Sequence, residues 1–239
     1  MVAGGVDPPA PAPSATTAIR SRLVPRRGVT ALAALVALLA LAGCALGKRP
    51  YFSDQPFQPG TLTGDLAADA VLAKLDAGIT GATTLAYNGA VKFGGHEFAA
   101  VVLADGANRK VTLSNAIYRQ TAAGAQTCFV DGTRPCQDGI DAAAASDTTL
   151  TMDFYAADAA TQLRNHVSRA VGPGQAHNET IAGQPATCVD IPLPSDGGTA
   201  LATYCALDNG VVARMDNGAV SVELVMFLAS ADAAEFTFQ

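Results

Sequence analysis

Two hydrophobic spacings alternate along this chain and divide it into elements. Over Thr61 to Ala77, Leu66, Ala70 or Val71, and Leu75 recur at helical spacing. Thr63 or Asp65 stands where an N-cap belongs, and Gly78 where a helix stops. From Leu85 the period shortens toward two. Leu85 to Phe93 and Phe98 to Leu103 alternate around Gly94-Gly95, which reads as a two-residue hairpin turn. Asp105-Gly106-Ala107-Asn108 marks a further turn. Val111 to Gln120 is predicted as one strand, and Gln126 to Arg134 as a hairpin. Ala142 to Ala145 reads as loop and Leu150 to Tyr155 as a strand. Helical spacing returns over Ala156 to Val171. Leu163, Val167 and Val171 share one face there, with Arg164, Asn165 and Ser168 off it, and Gly172-Pro173-Gly174 ends it.

The last third carries the sharpest turn chemistry. Glu179 to Ile181 turns at Ala182-Gly183-Gln184-Pro185. Asp208-Asn209-Gly210 and Asp216-Asn217-Gly218 each supply the Asn-Gly pair that adopts the positive φ angles of a tight hairpin. Ala200–Leu207, Val211–Met215 and Ala219–Leu228 should therefore form an antiparallel meander. The order helix, strands, helix, strands predicts an α+β domain, one large antiparallel sheet with helices against one face.

The N-terminus has a different character. Arg20, Arg22, Arg26 and Arg27 precede an apolar run from Val29 to Leu41. A helix of about 13 residues spans roughly 20 Å against roughly 30 Å of hydrocarbon, too short for a comfortable permanent span. Basic residues, a short apolar core and small residues before a cut make an export signal. Leu41-Ala42-Gly43-Cys44 resembles the lipobox of bacterial lipoproteins. That resemblance implies a diacylglycerol on the Cys44 sulfur and cleavage between Gly43 and Cys44. Two or three acyl chains then hold the protein stably to the extracytoplasmic face of the cell membrane. Residues 1–43 are the expected signal peptide. Residues 44–61, with Pro50, Pro56 and Pro59, form a tether, and 62–239 the single folded domain.

Removing the leader leaves 196 residues with 11 Lys+Arg and 20 Asp+Glu, a net charge of −9. That length suits one domain with a real core. That charge argues against nucleic acid as a partner and against electrostatic docking on anionic lipid. Four cysteines remain beyond Cys44, an even number that reads as two disulfides in an exported chain. Opposed residues in a hairpin keep a constant index sum. For Cys188 and Cys205 its midpoint falls between Asp196 and Gly197, inside a turn. For Cys128 and Cys136 it falls on Gly132. Each cysteine therefore faces its partner across its own hairpin, and no Cys-x-x-Cys spacing suggests a metal site.

An exported chain of this length and element order resembles the LolA-like superfamily, which includes the mycobacterial LppX and LprG type of envelope lipoprotein. The resemblance covers Leu62 to Phe238 in element order. Ile181-Ala182-Gly183, Ala186-Thr187-Cys188-Val189, Thr203-Tyr204-Cys205, Asp208-Asn209-Gly210-Val211 and Glu223-Leu224 are also similar to the C-terminal part of actinobacterial lipoproteins. The resemblance implies a curved half-barrel sheet wrapped around two or more helices, enclosing an apolar cavity that carries a lipid or lipoprotein. It transfers no catalytic residue and no cofactor.

The three histidines, His96, His166 and His177, lie far apart and lack metal-ligand spacing. There is no Gly-x-Ser-x-Gly elbow, dinucleotide fingerprint or P-loop, so no enzyme is expected. Asp131, Asp138, Asp141, Asp147 and Asp153 lack calcium-loop spacing and read as solvated turn carboxylates. Alternation places Glu223 on the solvent side with Ser221. It offers Tyr87, Phe93, Phe98, Val102, Leu113, Ile117, Phe154, Val189, Leu224 and Phe227 as candidate cavity lining. The expected function is a membrane-anchored envelope lipoprotein that binds a lipid or lipoprotein. The alternative is an interaction or sensor lipoprotein with a filled core, no ligand and a protein partner the sequence does not identify.

Overall fold

The computed structural model describes residues 57–132, 134–145 and 147–238. The leader, Cys44 and the tether up to residue 56 lie outside the described residues. Helix α1 spans Leu66–Ala77 and α2 spans Ala157–Val167. The strands are β1 (Thr83–Val91), β2 (His96–Asp105), β3 (Asn108–Leu113), β4 (Ala116–Thr121), β5 (Gly124–Phe129) and β6 (Gln137–Asp138), then β7 (Gln175–Ile181), β8 (Gln184–Ser195), β9 (Gly198–Leu207), β10 (Val212–Asp216) and β11 (Val220–Leu228).

These strands form one open, curved, entirely antiparallel sheet in the order β6-β5-β4-β3-β2-β1-β11-β10-β9-β8-β7. The expected α+β class with a large curved sheet on two helices is therefore what the chain adopts. Each half is a simple meander, since antiparallel neighbours need only short turns. The halves join where the first strand meets the last: Leu85 faces Phe227 and Val91 faces Val220. The long connection from β6 to β7 carries α2 across the inner face.

Both helices lie on that inner face. Asp65 caps α1, accepting from the Ala67 and Ala68 N–H groups, each at 3.0 Å. Helix α1 buries Ala68, Val71, Leu72 and Leu75 against α2 and strands β7 to β9. Helix α2 buries Ala159, Ala160 and Leu163. Each fully buried leucine stabilises by roughly 1.5–3 kcal/mol. The β1 side is covered by the turns of 150–156. Phe154 packs edge-on to Tyr87 at 5.2 Å and to Tyr155 at 5.5 Å. The Tyr87 hydroxyl donates to the Val212 carbonyl (2.8 Å), so its polar end is satisfied within the core.

Three expectations are corrected. Val111 to Gln120 is not one strand: it folds back at Ser114-Asn115, with Ser114 at φ 52. Leu150 to Tyr155 is a buried series of turns rather than a strand, opened by Thr149 at φ 57. Helix α2 ends at Val167, leaving Val171 59% exposed, while Arg164, expected off the apolar face, is only 2% exposed. Local apolarity is the same for a strand and a buried turn, and position 164 is buried through an ion pair that periodicity does not register.

The cysteine hairpins form in the expected register. Cys188 faces Cys205 directly and is bonded to it. Cys128 and Cys136 are bonded at the position that continues the β5–β6 ladder of Gln126 with Asp138 and Thr127 with Gln137. Gly210 (φ +83) closes the β9–β10 turn directly beneath the end of α1. A Cβ there would lie 2.1 Å from the Gly78 carbonyl oxygen.

Candidate functional site

The ten residues read as cavity lining do not act as one wall. Tyr87, Phe98, Val102, Leu113, Phe154, Val189 and Leu224 are buried in the core, and Phe227 packs against it. Phe93 does not belong to this set. It sits in the turn between β1 and β2 and is 81% exposed, because β1 ends at Val91. Ile117 does not belong either. It pairs with Thr112 on the outer face, opposite in direction to buried Ala116 and Tyr118. The centre of the inner face is occupied by Leu150, Met152, Phe154 and Tyr155.

An open depression of about 680 Å³ lies over β1, β2, β10 and β11, and a narrower space lies at the edge of the helix layer. A cleft of about 340 Å³ runs between the C-terminal end of α1, the N-terminal end of α2 and the 153–157 segment. Leu75, Ile79, Tyr155, Ala156 and Ala160 give it apolar walls, Phe57 and Pro59 roof it, and Arg109, Asp153, Asp76 and Arg164 bring charge to its rim. Burial pushes the Tyr155 hydroxyl above its ordinary pKa, keeping it neutral. Partial desolvation, with the nearby Asp158 charge, also raises the Asp153 carboxyl against the pull of Arg109. A smaller space of about 200 Å³ continues past Phe57 to Leu62, Val167 and Ser168.

The roof is a strap, residues 57–64, that runs back along α1 before entering it. Gly60 N–H donates to Asp76 Oδ2 (2.8 Å), and Arg164 Nε–H donates to the Thr61 carbonyl (3.0 Å). Arg164 also pairs with Asp76. Its buried guanidinium is thus held by the strap and α1 together, as a buried charge requires. Further along, Asp69 accepts from the Thr63 N–H and hydroxyl (2.8 and 2.7 Å) and from the Gly64 N–H (3.2 Å). Burial alone would raise the Asp69 carboxyl; those hydrogen bonds and the Arg164 charge hold it below the ordinary value. Sequence reasoning missed Arg164 and Asp76. The available signal was the small residue Ala160 one turn before Arg164 on the same stripe of α2.

The outer face carries a row of polar residues in register. His177, Cys188 and Cys205 stand opposite one another on β7, β8 and β9, and the row continues through Arg214 and Glu223. His177 Nε2 is 3.2 Å from Glu179 Oε1. Arg214 donates to Glu179 (2.6 Å) and to Glu223 (3.1 Å), so Glu223 is exposed as expected but is ion-paired. The two sulfurs are bonded to each other, which leaves one imidazole where a metal would need more. Elsewhere, Ser114 Oγ donates to Asp147 Oδ2 (2.8 Å), which lies 3.4 Å from His96 Nε2. Here the carboxylate stands between hydroxyl and imidazole, at an open surface, and the imidazole does not take the serine proton. That order differs from a Ser-His-Asp triad. His166, buried on α2, meets the Tyr204 hydroxyl at 2.9 Å.

No family model and no curated protein matches this sequence. Among solved structures, the chain is similar to MucB. In the MucA/MucB complex of Pseudomonas aeruginosa the identity is 11%, the match covers 72% of this chain and 61% of that one, and the TM-score is 0.45. For a crystal structure of MucB the figures are 12%, 74%, 64% and 0.45. The chain thus spans about three fifths of the length of the MucB chains it matches. A LolA superfamily protein from Nitrosomonas europaea is 10% identical over 72% of this chain and 97% of its own, with a TM-score of 0.34. No residue role is carried over from these likenesses.

Proposed function

We propose that this protein is an envelope lipoprotein, anchored through Cys44, that binds a single apolar chain in the cleft between α1 and α2. The observation that carries the binding reading is the cleft itself: apolar walls and a charged rim, at the edge of a sheet whose centre is filled. Such a site suits an acyl chain with a polar end near Arg109 and Asp153. Removing eight methylenes from water would stabilise by about 6 kcal/mol before ordering costs.

The order of arginines, apolar run and Leu41-Ala42-Gly43-Cys44 supports the anchor. The full-length chain expressed with its leader is expected to fractionate with membranes and to carry acyl mass. Cys44→Ser should abolish both, and an unmodified, soluble wild type would remove the anchor from the account. Binding is tested on the full-length Cys44→Ser chain with a fluorescent C11 fatty acid. The expected result is saturable enhancement lost in Thr161→Trp, which fills the cleft from its rim. Enhancement untouched by that substitution would place binding elsewhere.

A second reading, an interaction protein without a ligand, is favoured by the filled inner face. It predicts no saturable binding of the fatty acid and one specific crosslinked membrane partner.

A further inference from the structure

We propose that residues 57–61 are a displaceable strap that occupies the entrance of the cleft in competition with its ligand, so that the segment leading to the anchor regulates the site. This rests on the cleft reading above.

The strap is fastened in two unequal parts. Its second part, Thr63 to Asp65, is bound into the start of α1. Asp69 accepts three hydrogen bonds from Thr63 and Gly64, and Asp65 both caps the helix and accepts from the Gly174 N–H (2.6 Å). Its first part makes two hydrogen bonds to the helices: the Gly60 N–H on Asp76 and the Thr61 carbonyl on Arg164. Both meet the same buried ion pair, whose own contact between Arg164 and Asp76 is made without any strap atom. Lifting the first part therefore breaks two hydrogen bonds and leaves no charge unpaired. Leu62, 76% exposed, lies between the two parts. Gly60, within the first part, sits at φ 80 with open space around it, so the chain can pivot there.

Phe57 makes the strap a competitor rather than a wall. It borders both the 340 Å³ cleft and the 200 Å³ space beyond, so one ring separates two stretches of a single groove. At 38% exposed it is only partly committed to the core. An apolar chain long enough to occupy both stretches has to displace it. The bound state is one in which 57–61 leave the helices while 63–65 stay.

The test compares the full-length Cys44→Ser chain with the same chain carrying Phe57→Ala, using the fluorescent C11 fatty acid. Removing the competitor is expected to tighten binding by about tenfold if the closed strap holds about nine-tenths of the population. In hydrogen exchange, the probe should deprotect the amide of Gly60 and leave those of Thr63 and Gly64 protected. Unchanged or weaker binding in Phe57→Ala, with wild-type binding intact, overturns the strap and leaves the cleft standing. Gly60 gaining protection on binding also overturns it. Absence of binding in both chains removes the cleft reading and the strap with it.

Discussion

Two turns of this chain share one sequence and differ in what lies above them, which makes the α1–sheet contact measurable. Asp208-Asn209-Gly210 and Asp216-Asn217-Gly218 both close hairpins, with their glycines at φ +83 and +88. Alanine at either position meets the same backbone penalty, about 1–2 kcal/mol for a left-handed conformation. At Gly218 a Cβ finds nothing within 4 Å. At Gly210 it would lie 2.1 Å from the Gly78 carbonyl oxygen, 2.5 Å from that carbonyl carbon and 3.1 Å from the Lys74 oxygen. These are backbone atoms at the end of α1 and cannot rotate away, so the helix end must move off the β9–β10 turn. Overpacking of this kind costs about 1–3 kcal/mol more. Urea unfolding with disulfides intact should therefore show Gly210→Ala losing about 2–5 kcal/mol and Gly218→Ala about 1–2 kcal/mol, at equal slopes. Losses within about 0.5 kcal/mol of each other would refute the close seating of α1 on that turn.

Three further outcomes follow from contacts described above. Arg164→Ala leaves Asp76 without its buried partner and should cost about 3–5 kcal/mol, whereas Arg169→Ala, exposed in the turn just past the end of that helix, should change stability by under about 0.5 kcal/mol; equal effects in urea melts would contradict the pairing. Opening Cys188–Cys205, which closes 17 residues, should cost about 3 kcal/mol in the chain-entropy view, and opening Cys128–Cys136, which closes 8, about 2.5 kcal/mol, checked with paired serine variants. Burial first, and then the Arg169 charge, lower the pKa of His166, so the unfolded chain binds its proton more readily than the folded one. Stability from this group is present above about pH 6.5 and falls as the pH drops below it; His166→Gln should flatten that slope, and an unchanged pH profile would exclude the effect.

What could be read from the residues was what is decided within a few positions. Asn-Gly turns fix hairpins by local φ preference, and two cysteines equidistant from a turn face one another whatever surrounds them. Those features gave the C-terminal meander and both disulfides. The Ser114-Asn115 turn escaped notice because neither residue announces a positive φ as glycine does. The 150–156 turns escaped because Leu150, Met152 and Phe154 alternate with Thr151 and Asp153 at the period of a strand. The site was less legible than the fold. Phe93 and Phe98 differ by five positions in sequence, yet one lies in solvent and the other over Gly89, whose missing side chain makes room for the ring. Arg164 and Asp76 are 88 positions apart and the strap a further stretch away, so only the folded chain joins them.

The seam between the first strand and the last has a consequence for how the chain matures. Thr84 pairs with Leu228, so the middle of the sheet waits until two strands more than a hundred residues apart have both been made. Neither meander can be completed by its neighbour beforehand, and such distant pairing slows folding. Truncation before Val220 would split the sheet down its centre rather than trim its edge.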